Sequence, residues 1–247
     1  MAHAGSVPRH LDIAATAVEA LAIDADAYAV IDCLRATTTI ATLFEAGLRR
    51  LWVAASLDEA RTRARTEGAL LFGEVGGLPP TGFDFGNSPV EAAAAPARGR
   101  DAVLFTTNGT TALTSLASKG EVFAAAPANQ SALLNALSPF ERVVFVCAGT
   151  AGGTRFALED FAAAGYLVQR GLERWPGAQL GDMAILAAET SDPLRLVPIG
   201  HHAEVLRSLG LGADVDFATF PNTSRSAARV VDHGPGWARL GSGLPEG

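Results

Sequence analysis

Lysine is almost missing from this chain. Lys119 is the only one, and arginine supplies the rest of the 19 basic residues, set against 26 acidic ones. The net charge is −7 and there is no basic block, so the chain lacks the electrostatic footprint for nucleic acid or an anionic membrane surface. Arginine in place of lysine, beside abundant alanine and glycine, reads as the mark of a GC-rich genome more than of chemistry. Cysteine is scarce too. Cys33 and Cys147 make neither a disulfide framework nor a metal-type spacing, which suits a reducing compartment. The start, Met1 to Leu11, has no apolar stretch of signal-peptide length, and no run approaches the roughly 18 to 20 apolar residues of a membrane span. A cytoplasmic location is expected. GxxxxGK[ST], GxSxG and HExxH are absent, and Gly149, Gly152 and Gly153 do not form GxGxxG, so a nucleotide-dependent transferase or oxidoreductase has weak support.

What the chain does have is apolar residue, 49% of 247, enough for a sizeable core. Short β-rich runs alternate with helical patterns: strands over 27–31, 51–55, 70–72, 102–105, 121–125 and 142–146, and helices over 37–47, 57–68, 131–137, 156–170, 181–188 and 202–209. Another helix follows the strand at 102–105 and runs to Gly120. A late strand is expected over 215–220. Such alternation predicts an α/β fold, a layered α/β/α arrangement with a mostly parallel sheet. A faint internal match (Ala29-Val30 with Ala102-Val103, Thr38-Thr39 with Thr110-Thr111) suggests two related βαβ halves. The whole reads as one compact unit, with two intertwined sub-domains, about 12–125 and 126–230, as an open division. Residues 231–247 read as a loose tail.

Polar clusters follow the strands. Asp32 to Thr38 follows the first, Gly73-Glu74 another, Thr106 to Thr111 a third and Cys147 to Thr154 a fourth. Parallel strands would open all four loops on one edge of the sheet, where ligands of such sheets bind. Thr37-Thr38, Asn108-Gly109-Thr110 and Gly149-Thr150 offer hydroxyls and free N–H groups to an anion. Arg35 and Arg155 offer bidentate contacts. Asp32, Glu74, Asp84, Glu159 and Asp160 offer hard oxygen ligands for Mg²⁺. A metal beside anion clamps is the equipment of phosphoryl transfer. The ordinary reading of each piece stands beside this one: threonines as helix caps, Asp84 as a turn residue, Cys147 as a small buried side chain. The glycine- and proline-rich stretch Val75 to Pro89 reads as an ordered loop, because Phe83 and Phe85 give it something to bury. His3 and His10 fall in a loose start and His233 in the tail. His201-His202 reads as a surface helix cap, with a role at the site mouth left open.

The strings VIDCLRATTT (30–39), Gly73-Glu74, GFDFGNSP (82–89), TTNGT (106–110), CAGT (147–150) and Leu158-Glu159-Asp160, in that order, resemble the 2-phosphosulfolactate phosphatase family over roughly residues 28–220. Two departures stand out: Cys33 replaces a small aliphatic residue, and the match loosens from Pro193. The resemblance implies an α/β, Mg²⁺-dependent phosphatase that converts 2-phospho-3-sulfolactate to sulfolactate and phosphate, a step towards coenzyme M. It points to Asp32, Arg35, Thr37, Thr38, Glu74, Asp84, Asn87, Asn108, Gly109, Cys147, Glu159 and Asp160 as site positions, without their roles. With the residue reading, the expected catalytic set is Asp32, Arg35, Cys147, Glu159 and Asp160. The expected anion-binding set is Thr37, Thr38, Asn87, Asn108, Gly109, Thr110, Gly149 and Arg155. Asp32, Glu74 and Asp84 are the expected metal ligands, with Glu159 and Asp160 as substitutes for Asp84. The nucleophile stays open between water, Asp32 and Cys147. The expected partner is a small anionic phosphate ester, with no nucleic acid and no membrane, and a homodimer is left open. The alternatives are a related phosphatase acting on another phospho-hydroxy acid, or a non-catalytic protein that binds phospho-metabolites.

Overall fold

The computed structural model describes residues 9–243. The chain runs β1 (His10–Ala14), α1 (Ala17–Ala20), β2 (Ala27–Ile31), α2 (Ala36–Glu45), β3 (Arg50–Ala54), α3 (Leu57–Glu67), β4 (Leu70–Gly73), α4 (Pro89–Ala94), β5 (Asp101–Phe105), α5 (Gly109–Leu116) and β6 (Glu121–Ala125). It continues through α6 (Gln130–Leu137), β7 (Arg142–Cys147), α7 (Leu158–Arg174), β8 (Gln179–Leu180), α8 (Asp182–Ala188), α9 (His201–Ser208), α10 (Gly212–Ala218), β9 (Arg229–Gly234) and β10 (Trp237–Gly241). Local chemistry sets many of the boundaries. Ser56 caps α3 by accepting the Glu59 N–H, and Gly68 ends it in the left-handed region. Ser88 caps α4 in the same way, with Pro89 as the first helical residue.

All ten strands form one sheet in the order β4-β5-β3-β10-β9-β6-β2-β7-β1-β8. The fold is α/β, a large, mostly parallel mixed sheet flanked by helices. It consists of two parallel blocks, β4-β5-β3 and β6-β2-β7-β1-β8, bridged by the antiparallel β9–β10 hairpin. Since β10 is antiparallel to β3, β9 to β10 and β9 to β6, the two blocks run in opposite senses. The β2-α2-β3 and β5-α5-β6 connections each pass from one block to the other. Because β2 pairs with β7 as well as β6, the sheet continues across residue 125.

Burial follows the two-residue period of the strands. In β2, Tyr28 and Val30 face one core, shared with Ile40 and Leu43 of α2 and Leu113 of α5. Ala27, Ala29 and Ile31 face a second, shared with Leu133 of α6 and Leu167 of α7. The first core reaches both blocks, through Val53, Leu104, Val144 and the hairpin residues Ala238 and Leu240.

Three expectations are corrected here. Residues 231–241 are not a loose tail: they complete the hairpin between the blocks, and His233 lies in β9. The glycines and prolines that suggested looseness include the Pro235-Gly236 turn, where Gly236 takes φ +77°. Residues 215–220 are not a strand. The alternation of Val215 and Phe217 imitates one, yet the segment starts within α10, whose buried residues Asp214, Val215 and Ala218 follow helical spacing. His10 opens β1 instead of lying in a loose start, while His3 falls outside the described residues.

Leu240 is fully buried in the core between the blocks. Leu240→Ala should cost about 2–5 kcal/mol, read as a lowered denaturation midpoint with an unchanged slope. A loss below about 0.5 kcal/mol, the range of ordinary surface substitutions, would mean that the hairpin does not tie the blocks together.

Candidate active site

The carboxyl ends of β2, β4, β5 and β7 contribute to one cavity of about 690 Å³. They do not meet there by sharing one edge of a parallel sheet, because the blocks run in opposite senses. The contact is made where α2 and α5 begin. Gly109, the first residue of α5, lies so close to the end of β2 that a Cβ there would stand 2.6 Å from Asp32 Oδ2 and 2.6 Å from the Ala36 Cβ. Further bonds close the ring. Asn108 Oδ1 accepts the Gly152 N–H at 3.0 Å, joining the loop after β5 to the loop after β7. Arg35 Nη2 donates to the Gly77 carbonyl at 2.7 Å, joining the start of α2 to the loop after β4.

Asp32 ends β2 and is 8% exposed. Its Oδ1 accepts the Ala36 N–H at 3.1 Å. Burial, with the charges of Glu74 and Glu159, raises its pKa to about 6, against the Ala36 hydrogen bond and the His202 charge. Glu74 accepts the Thr107 N–H on Oε1 and the Gly77 N–H on Oε2, both at 2.8 Å, and lines the cavity. Arg35 is held by a buried ion pair, Nη1 to Asp214 Oδ2 at 2.7 Å, and the other Asp214 oxygen accepts the Ser88 hydroxyl at 2.6 Å. Asn87 lies beside this network at the cavity wall, its Oδ1 buried without a hydrogen-bond partner. On the opposite wall, Glu159 Oε1 meets His202 Nδ1 at 2.8 Å. Burial lowers the His202 pKa and Arg35 opposes its charge, but the hydrogen bond and charge of Glu159, with Asp32 beyond, outweigh both and raise it. Arg155 and Phe156 stand at the mouth, both exposed.

Of the sequence candidates, Asp32, Arg35, Glu74, Asn87, Asn108, Thr150, Arg155 and Glu159 line the cavity. The others do not, and each has a structural occupation. The Thr37 and Thr38 hydroxyls donate to the carbonyls of Asp32 and Cys33, both at 2.9 Å. The Thr110 hydroxyl donates to the Thr106 carbonyl at 2.8 Å. Gly109 supplies the space that Asp32 occupies. Gly149, at φ +72°, would drive a Cβ to 2.4 Å from the Arg155 carbonyl oxygen. Asp160 accepts the N–H groups of Cys33 and Gly149, which ties the loops after β2 and β7 together beneath the cavity. Burial pushes its carboxyl pKa up, with Asp32 and Glu159 adding to the shift. Asp84 accepts the Leu71 N–H at 2.8 Å and fastens its loop to β4, helped by Phe85 stacked on Phe72 at 4.6 Å. Cys147 is wholly buried outside the cavity, and burial pushes its thiol pKa well up, as it does that of Cys33. A buried, protonated thiol is a poor nucleophile.

Residues that sequence reasoning left aside also stand in the site. His202 belongs to the wall and is not merely a surface cap. Asp214 immediately precedes the segment read as a strand, and nothing in its local sequence signals a partner 179 residues away. Thr107 and Gly77 act through their backbones, which leave no side-chain signature.

Metal fit follows from the donors. Among the described residues, no three His, Cys, Asp or Glu side chains form a ready-made cage. Mg²⁺ does not need one, since it usually takes one or two carboxylates and fills its octahedron with water and substrate oxygens. Glu159 is engaged by His202, and Asp160 and Asp84 lie outside the cavity, which leaves Asp32 and Glu74. Asp32 receives one hydrogen bond on a buried carboxylate, so it retains lone pairs for a cation. This sparse donor set fits.

The family model for 2-phosphosulpholactate phosphatase matches residues 15–232. A probable 2-phosphosulfolactate phosphatase of Deinococcus radiodurans is 39% identical over 83% of this chain and 88% of its own length. Others so described are 38% identical in Thermotoga petrophila, over 82% of this chain and 88% of the relative, and 37% identical in Thermus thermophilus, over 89% and 91%. The match takes in every cavity-lining loop described above, and the chain belongs to the 2-phosphosulpholactate phosphatase family.

Proposed function

We propose that this protein is a phosphatase that hydrolyses 2-phospho-3-sulfolactate to sulfolactate and phosphate with the help of Mg²⁺. The observation that carries the reading is the mixture of charge in one cavity: Asp32 and Glu74 on the same wall system as Arg35, with Arg155 at the mouth and His202 opposite. Carboxylates alone would repel a phosphate ester, and a pure anion receptor gains nothing from them. Together with a cation they become assets. The substrate bears a phosphate, a carboxylate and a sulfonate, and a cavity lined by two arginines suits an anion of that density.

Asp32 and Glu74 would hold Mg²⁺, which when bound supplies positive charge against the phosphoryl oxygens. Arg35 is kept rigid by Asp214 and the Gly77 carbonyl, so its remaining N–H groups bind the phosphate without first being ordered. Arg155, exposed at the rim, takes the carboxylate or sulfonate end. Asn87 lines the same cavity, and its buried Oδ1 has no hydrogen-bond partner within the protein. The apolar wall of Leu34, Phe156 and Leu206 excludes bulk water around the ester. With Cys147 outside the cavity, the attacking group is water or Asp32, and water is favoured because Asp32 is assigned to the cation.

Two outcomes test this. Asp32→Asn keeps the acceptor for the Ala36 N–H and should lower kcat about a hundredfold or more, measured as phosphate release with and without Mg²⁺. Retained activity would remove Asp32 from the reaction. The second outcome is a pH dependence of stability without metal. The folded protein holds the Asp32 proton up to about pH 6, whereas the unfolded chain releases it near the usual carboxyl value of 3.8. Stability should therefore fall as pH rises between those values and level off above about 6. The wild type should lose up to about 3 kcal/mol relative to Asp32→Asn over that window. Denaturant titrations in chelator give the slope, and adding Mg²⁺ should flatten it. Equal slopes for both proteins would contradict the assignment.

A further inference from the structure

Hydrolysis of an alkyl phosphate leaves an alkoxide, a poor leaving group unless it takes up a proton as the bond breaks. Resting on the phosphatase reading above, we propose that His202, oriented by Glu159, is the proton donor to the leaving oxygen.

The geometry has three parts. His202 belongs to α9 and lines the cavity wall. Its Nδ1 is engaged by Glu159 Oε1 at 2.8 Å, which fixes the ring and leaves Nε2 as the nitrogen free to meet substrate. Glu159 is itself buried, with its side chain 5% exposed, in the first turn of α7. A carboxylate behind an imidazole at that distance orients the ring and favours its protonated form. The charged groups that face His202 are Glu159 from α7, Asp32 from the end of β2 and Arg35 from the start of α2; His201 and Glu204 lie on its own helix. The two carboxylates outweigh the arginine, consistent with the raised histidine described above. No other imidazole meets a buried carboxylate in this cavity: His201 is exposed and its only carboxylate neighbour, Glu204, is exposed at 3.9 Å.

The step balances as follows. Water oxygen forms a bond to phosphorus while the ester P–O bond breaks, its electron pair staying on the ester oxygen. That oxygen takes the proton from His202 Nε2 and leaves as the alcohol. The phosphoryl group departs with both protons of the water as dihydrogen phosphate, and neutral His202 regains its proton from solvent.

The test compares wild type, His202→Gln and Glu159→Gln on 2-phospho-3-sulfolactate and on 4-nitrophenyl phosphate, both with Mg²⁺. On the alkyl ester, His202→Gln should lower kcat about a hundredfold with KM changed less than threefold, and the basic limb of the pH profile should vanish. On 4-nitrophenyl phosphate, whose phenolate leaves without protonation, the variant should stay within about threefold of wild type. Glu159→Gln should keep the basic limb and move it to lower pH, and it serves as the readout should His202→Gln unfold. An equal deficit on both esters, a kcat within threefold of wild type on the alkyl ester, or an unmoved basic limb in Glu159→Gln would overturn the assignment. Absence of phosphate release by the wild type with either ester is the distinct failure of the phosphatase reading, and the inference falls with it.

Discussion

Everything at this site depends on one close approach, that of Asp32 to Gly109. Two blocks of parallel strands run in opposite senses, so the usual rule that ligands sit beyond the carboxyl ends of a parallel sheet cannot by itself bring their loops together. They meet because the connections β2-α2-β3 and β5-α5-β6 both cross between the blocks and begin side by side. The missing Cβ at Gly109 lets the two helix starts touch, and any side chain there would collide with the carboxylate. The hairpin at the far end of the chain performs the complementary task of joining the blocks as one sheet. The cavity is thus a property of the whole topology, held at one rim by the close approach of Gly109 to Asp32 and elsewhere by hydrogen bonds between side chains and backbone groups.

Carboxylates at the site divide by what already satisfies them. Asp160 spans two loops by accepting two backbone N–H groups, Asp214 holds an arginine and a serine, and Asp84 fastens a loop. None of these three lines the cavity, whereas Glu74, also held by two backbone N–H groups, does. Asp32 is the opposite case: a buried carboxyl with one backbone donor and two acidic neighbours, pushed upward because its charge is under-compensated. In an acidic protein, such a group keeps its proton to a higher pH than a free carboxyl and gains from a nearby cation. The cavity therefore has an electrostatic deficit that its own arginines do not fill, since Arg35 is already paired with Asp214. That deficit supports the proposed divalent cation as the complement of the anionic substrate.

Six of the eight parallel strands were legible because they are short apolar runs, and β2 and β6 fall where periodicity puts them; β1 and the two-residue β8 were missed. The hairpin was not. Its strands are half-exposed, arginine-bearing and punctuated by glycine and proline, a local composition that reads as looseness until the neighbouring edges are known. Asp214 was illegible for a related reason: Val215 and Phe217 alternate like a strand, and only tertiary packing reveals the helix. At the site, side chains that face the ligand, such as Asp32, Arg35 and Glu74, stood out by type and position. The threonines misled, because a hydroxyl near a helix start looks identical in sequence whether it serves an anion or its own backbone. In Thr37, Thr38 and Thr110 the backbone wins, since a carbonyl at hydrogen-bond distance costs no extra ordering.

The same reasoning separates His202 from Arg155 as answers to the negative substrate. Arg155 is exposed, and a guanidinium there can attract and orient an anion but is not a general acid. His202 sits deeper, and its charge is conditional on the carboxylate behind it. A site that only had to hold an anion would be better served by a second arginine in that place, which would pair with Glu159 permanently and never lose charge. An imidazole there sacrifices constancy of charge for the ability to release a proton, and that exchange has value only where a bond is broken.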